Sequence, residues 1–308
     1  MNWSGVMPAM TTPFDGSMKV DHAYLAQHAG WLLGNGCSGL VMLGSLGEGA
    51  TLEHAEKLDI LKTAVRVAKG KAPVVAAISA LSTEVAVRLA NEAEQAGCSG
   101  LMVLPPYVYT SDWREMKKHV SAVFASTKLS CMLYNNPIAY KTDFLPEQIA
   151  ELCAEFPNLQ AVKESSADAR RVSAIRAVLD DRIRIFMGVD DALVEGVAVG
   201  AVGWVAGLVN AFPAESVKLF ELAREGQLED AFALYRWFLP LLRMDTVPKF
   251  VQLIKWVQEQ MGVGSARVRA PRLEITGAEL DEANAVLAKA KAERPRVPEV
   301  SFASFAGA

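Results

Sequence analysis

Three short segments carry residue types that could act together on a carbonyl compound. In "LQAVKESS", residues 159–166, Lys163 follows the apolar Leu159, Ala161 and Val162 without a break, before the chain turns polar at Glu164, Ser165 and Ser166. An ammonium at the end of an apolar strand loses hydration, so it must be paired or give up its proton. A lysine in water, with a pKa near ~10.4, is less than ~0.1% free amine at neutral pH. Apolar walls lower that pKa and free the lone pair to attack a carbonyl. The plainer alternative pairs Lys163 with Glu164 or Asp190. In "YNNP", Tyr134 ends another apolar run, and a phenol beside an imine can pass protons to the carbinolamine and to a leaving group. Its plainer alternative is a core tyrosine with a bonded hydroxyl. In "GSLGEG", Gly44, Gly47 and Gly49 let the backbone turn tightly around Ser45 and present amide N–H groups, with a hydroxyl added. That is a cradle for a small anion such as a carboxylate. Amine, phenol and cradle together suit a 2-oxo acid held as a Schiff base.

The elements that must position them follow a rhythm. Apolar runs recur at 5–13, 39–43, 73–78, 100–104, 130–135, 159–164, 184–188 and 201–207, with amphipathic segments such as "TLEHAEKLDILKTAVRVA" between them. Continuously apolar strands alternating with helices predict a parallel sheet, and eight of them predict closure into a (β/α)8 TIM barrel. An open doubly wound sheet would want a GxGxxG after the first strand, and "AMTTPFDG" is not one. Beyond the eighth strand the pattern is helical at about 210–225, 227–243, 246–261 and 276–292. We therefore expect a barrel over 1–225, a C-terminal helical appendage over 226–295 and an irregular tail over 296–308. Chemistry in such a barrel sits at the C-terminal strand ends. The lysine, the phenol and the Gly-rich loop all fall there, whereas His22, His28, His54 and His119 fall in or at the start of helices. A histidine-based metal cluster is therefore not expected, and no cofactor is called for.

Composition agrees with an ordinary soluble globular protein. Of the 308 residues, 51% are hydrophobic and 21% charged, and the net charge of −4 gives no reason to expect nucleic acid or an anionic membrane as partner. Neither an export signal nor an apolar run of membrane-spanning length is visible, and the four cysteines lack CxxC spacing. Buried thiols in a reducing cytoplasm are the expectation.

Taken with the spacing from Tyr134 to Lys163, "GSLGE", "YNNP" and "VKES" resemble the G-[ST]-x-G-E, Y-N-x-P and lysine-strand motifs of the dihydrodipicolinate synthase / N-acetylneuraminate lyase family over about residues 3–295. The resemblance implies Lys163 as Schiff-base lysine, Tyr134 as proton donor and acceptor, and Ser45 with the amide of Leu46 as carboxylate binder. It also implies that backbone near Gly203 lines the site, and that the assembly is a homotetramer built from two dimers. Three positions depart from the lysine-biosynthetic synthases. Leu46 stands where they carry a second threonine, and Ala139 where they carry an arginine for the aldehyde's carboxylate. Val108, between Tyr107 and Tyr109, stands where they lend a tyrosine to the neighbouring subunit. Lys141 is a poor substitute for the arginine, because it lacks the bidentate fork. "GSLGE" with "YNNPxAY" resembles most the catabolic members that deaminate 4-hydroxy-1-pyrroline-2-carboxylate, with dehydration of a 3-deoxy-2-oxo sugar acid sharing the early steps. A synthase joining pyruvate to aspartate semialdehyde, a pyruvate-releasing aldolase and a non-catalytic binding barrel are the alternatives. Asp190 and Asp191 read as N-cap and first-turn acids, Trp204 as core, and Arg170 and Arg171 as solvated.

Overall fold

The computed structural model describes residues 1–107 and 109–306; Val108, where a relay tyrosine was sought, lies outside the described residues. Eight strands form one parallel sheet: β1 (Gly5–Pro8), β2 (Leu40–Met42), β3 (Val74–Ile78), β4 (Gly100–Val103), β5 (Ser130–Asn135), β6 (Leu159–Glu164), β7 (Arg184–Met187) and β8 (Gly203–Ala206). β1 pairs along its length with β8, and the Ala9↔Val41 bridge brings it to β2, where Met10 N–H donates to Val41 O at 2.9 Å. The sheet is thus a (β/α)8 barrel. The strands form because their residues are apolar on both faces, one set filling the interior and the other meeting the helices.

Those helices are α1 (His22–Gly34), α2 (His54–Ala68), α3 (Thr83–Gln95), α4 (Trp113–Ala125), α5 (Pro137–Tyr140), α6 (Pro146–Glu155), α7 (Arg170–Leu179), α8 (Leu193–Ala198) and α9 (Pro213–Arg224). Side-chain caps begin several of them, such as Asp21 on Tyr24 N–H and Asp112 on Glu115 N–H. Strand register then sets the interior. Tyr134 pairs with Lys163, Lys163 with Phe186, and Phe186 with Gly203, so four neighbouring strands put these residues in one belt. The ring of Phe186 fills the space beside Gly203, where a Cβ would come within 2.3 Å of it. Trp3 meets Phe186 edge-on at 6.0 Å and plugs the barrel below. Lys163 therefore has a dry floor.

Three more helices follow: α10 (Leu228–Leu242), α11 (Phe250–Gln260) and α12 (Gly277–Ala292). A buried charge cluster ties them to the barrel. Glu48, of the Gly-rich loop after β2, is fully buried and accepts Lys255 Nζ of α11 at 2.8 Å and Arg269 N–H at 2.9 Å. Lys255 also donates to Thr12 O after β1 at 2.9 Å and lies 4.5 Å over the Phe14 ring. Arg269 grips Glu56 of α2 through two bonds of 2.6 Å. The expected irregular tail is not a free end. Val300 O accepts Trp31 Nε1–H at 2.7 Å, Phe302 packs edge-on against Trp31, and Phe305 lies on Gly30 and Gly34 of α1.

Lys255→Met should leave Glu48 buried with one positive partner fewer. We expect a loss of about 3–5 kcal/mol in urea unfolding, and partial recovery when Glu48→Gln is added. A single variant as stable as the wild type would show that the pair contributes nothing.

Candidate active site

Lys163 leaves the end of β6, buried, with its Nζ 4.4 Å from the centre of the Tyr134 ring. Its chain lies over Gly188, where a Cβ would come within 2.5 Å of Lys163 Cε and 2.0 Å of Ser165 Oγ. Only a glycine at the end of β7 leaves that lane open. The pairing of Lys163 with Glu164 is not what the structure shows. Glu164, the next residue on the strand, points the other way: its Oε2 accepts Asn135 Nδ2–H at 3.0 Å and its Oε1 accepts Ser166 N–H at 2.7 Å. Asp190 makes no ion pair with Lys163 either. Its oxygens take Trp204 Nε1–H at 3.0 Å, Gly207 N–H at 3.0 and 3.1 Å, and Leu208 N–H at 2.8 Å. Asp190 is thus no helix cap. It sits in the 3-10 turn Asp190–Ala192 ahead of α8 and ties β7 to β8, while Trp204 is fully buried beside it.

Burial pulls the Lys163 ammonium down to about 8, opposed first by the charge of Asp245 and then by that of Asp190. At neutral pH a usable share of the amine is therefore free, orders of magnitude more than in a solvated lysine. Burial pushes the carboxyl of Asp190 up to about 6, against the three N–H groups it accepts.

Tyr134 is oriented by its own turn. Asn136 caps α5 by accepting Ala139 N–H at 2.9 Å, and its Nδ2–H donates to the Tyr134 oxygen at 3.0 Å. Burial pushes this phenol up to about 12, so it is a proton carrier that starts protonated. The same short helix delivers Tyr140, which the sequence did not single out. Its hydroxyl hydrogen-bonds Ser45 Oγ, and its ring meets Tyr134 edge-on at 5.7 Å and Tyr107 at 5.7 Å. Ser45 is half-buried and Leu46 buried. Glu48 N–H donates to Ser45 O at 3.1 Å, folding the loop so that, among the described residues, the Leu46 N–H has no protein acceptor. An anion could take it, with the Ser45 hydroxyl beside it.

Gly203 is not brought to the mouth. It is the first residue of β8, and its inner face is covered by Phe186. Arg170 is solvated and pairs with Asp168, but Arg171 is not: it holds Asp143 through two bonds of 2.8 Å, and Asp143 in turn accepts Asn135 Nδ2–H at 3.0 Å. This chain of bonds braces the ends of β5 and β6. The second residue that the sequence did not disclose is Asp245, in the 3-10 turn Arg243–Asp245 after α10.

With this geometry established, known proteins show what it is similar to. The sequence profile of the dihydrodipicolinate synthetase family matches residues 2–290. A 4-hydroxy-tetrahydrodipicolinate synthase of Mesorhizobium japonicum is 31% identical over 282 residues, covering 91% of this chain and 96% of that protein. One from Methanoculleus marisnigri is 31% identical over 288 residues, covering 92% and 98%. The solved 4-hydroxy-tetrahydrodipicolinate synthase of Methylacidiphilum fumariolicum SolV superimposes with a TM-score of 0.91 at 26% identity, covering 94% and 97% of the two chains.

Incubation with pyruvate and cyanoborohydride should add a reduced pyruvyl group to Lys163, located by peptide mass. Because the folded-state pKa is lowered, the rate should rise through a midpoint near pH 8 rather than above 10. An adduct on another lysine, or a midpoint above 10, would contradict a neutral amine at this strand end.

Proposed function

Since this chain belongs to the dihydrodipicolinate synthetase family and is a lysine-dependent Schiff-base lyase, we propose that Lys163 is its nucleophile and that it acts on a hydroxylated 2-oxo acid or the cyclic imine of one. Deamination of 4-hydroxy-1-pyrroline-2-carboxylate is the reaction that fits best, and dehydration of a 3-deoxy-2-oxo sugar acid shares its early steps. One observation carries this choice. Among the described residues, no guanidinium stands free at the barrel mouth to hold a second substrate carboxylate. Ala139 is exposed where an arginine would be needed, Arg171 is engaged by Asp143, and Arg243 lies 3.6 Å from Asp191. A second anion buried without a partner would be costly, whereas hydroxyls find Ser45, Tyr107, Tyr134 and Tyr140.

The chemistry follows from these positions. The substrate carboxylate rests on the Ser45 hydroxyl and the Leu46 amide. Lys163 attacks C2 and displaces the ring nitrogen, which takes the Tyr134 phenol proton as it leaves and stays tethered as an amine at C5. The iminium acidifies C3, a proton passes to the Tyr134 oxygen or a water, and the 4-hydroxyl departs as water with a proton returned to it. Tautomerisation and hydrolysis, which together take up two waters, release ammonia and the 2-oxo acid semialdehyde and restore the Lys163 amine. Tyr140, bonded to Ser45 and edge-on to Tyr134, supplies within one chain a hydroxyl beside this proton path. The protein works as a homotetramer of two dimers, as the family resemblance implies. The four buried free thiols fit a reducing cytoplasm. A second reading is favoured by the relatives' names: a 4-hydroxy-tetrahydrodipicolinate synthase condensing pyruvate with aspartate semialdehyde.

A substrate screen separates the two. Ammonia release from 4-hydroxy-1-pyrroline-2-carboxylate should be efficient, and condensation of pyruvate with aspartate semialdehyde negligible; efficient condensation would establish the second reading. Tyr134→Phe keeps the ring but removes the proton, so turnover should fall by about 10²-fold with the fold intact. Near-normal turnover would reduce Tyr134 to a packing residue.

A further inference from the structure

The C-terminal helices send one charged side chain into the barrel mouth. On β8 the interior positions are Gly203 and Val205, and Gly207 follows the C-terminal end of the strand as the cap of the next turn. A Cβ placed on Gly207 would lie 2.2 Å from Asp245 Oδ1 and 2.7 Å from its Cγ, so the carboxylate rests against that glycine, beside Ile254 of α11. Lys163 lies lower. Its Cε runs over Gly188, one residue beyond Met187, which pairs with Trp204; Gly188 is therefore level with Val205. Gly207 lies two residues beyond Val205, past the C-terminal end of β8. Asp245 thus stands at the C-terminal end of β8, the end of a barrel at which ligands bind, and of the charges around Lys163 it acts on the amine most strongly.

The two carboxylates at Gly207 differ in what they are free to do. Asp190 has its oxygens filled by Trp204, Gly207 and Leu208. Asp245, half-buried, has no hydrogen-bond or ion-pair partner among the described residues, and its neighbour Arg243 is turned to Asp191. We propose that Asp245 is a specificity-determining residue of this site: its carboxylate accepts a hydrogen bond from a hydroxyl or N–H of the keto acid held on Lys163, and it turns away a keto acid with a second carboxylate. Burial and then Asp190 hold the Asp245 carboxyl well above the usual range, while Lys163 opposes them. The positive charge of an iminium on Lys163 favours the ionised form of Asp245. A substrate hydroxyl there meets an acceptor, and a carboxylate meets a like charge.

The proposal rests on Lys163 forming the Schiff base, but not on which substrate of that class is turned over. Wild type and Asp245→Asn are incubated with cyanoborohydride and, separately, pyruvate, 2-oxopentanoate or 2-oxoglutarate, and the adduct on Lys163 is quantified by peptide mass. Wild type should take the two monoanions at least about tenfold faster than 2-oxoglutarate, and the variant should narrow that preference by about tenfold. Asparagine keeps the shape, so size cannot account for the change, and the pyruvate adduct in the variant certifies its fold. Asp245→Ser serves if the first variant does not fold. An unchanged preference in a variant that still takes pyruvate overturns the role of Asp245 and leaves the Schiff base standing. No adduct in wild type with any of the three overturns both.

Discussion

The buried carboxylate of Glu48 is the constraint on which the site depends. It belongs to the loop that carries Ser45 and Leu46, yet its partners come from the far end of the chain: Lys255 on α11 and the amide of Arg269. A fully buried carboxylate must be matched, so the loop can take its folded shape only when those segments are docked. Lys255 reaches past it to Thr12 O, which brings the β1 loop into the same cluster. The helices beyond β8 are therefore a part of the barrel mouth. Through the turn at Asp245 they also add a charge to it.

A second economy is visible around Lys163. Two of the carboxylates near it are engaged elsewhere: Glu164 by Asn135 and Ser166, and Asp190 by three N–H donors from β8 and its end. The lysine is left with an aromatic face and the charge of Asp245, which makes no direct pair with it. That is why its ammonium is weakened without being abolished, a compromise suited to a group that must be a nucleophile and then carry an iminium.

Much of this was legible in the sequence because parallel strands covered on both faces leave continuous apolar runs, and because strand ends announce themselves where polarity returns. Lys163 and Tyr134 stood out for that reason, and register places them side by side. What stayed hidden depends on short turns and on distance along the chain. Tyr140 reaches Ser45 only because Asn136 caps a one-turn helix. Asp245 lies in a 3-10 turn within a helical region, where nothing in the periodicity marks an inward-facing acid. Asp190 looked like a helix cap because Asp–Asp before an apolar segment usually is one, but the turn it occupies leaves its oxygens aimed at β8. Arg171 looked solvated because its partner Asp143 lies on another element. Gly203 was drawn to the mouth by family resemblance, whereas the ring of Phe186 shows what its missing side chain makes room for.

The contact between Trp31 and Val300 spans 269 residues, and Phe302 and Phe305 complete the cover over α1. On the ribosome, at roughly 5–20 residues per second, that cover arrives on the order of ten seconds to a minute after α1 has been made. Until then the indole of Trp31 and the small-residue groove at Gly30 and Gly34 are open to other chains and to chaperones. The newborn barrel thus carries an adhesive patch on its first helix until its last residues are made.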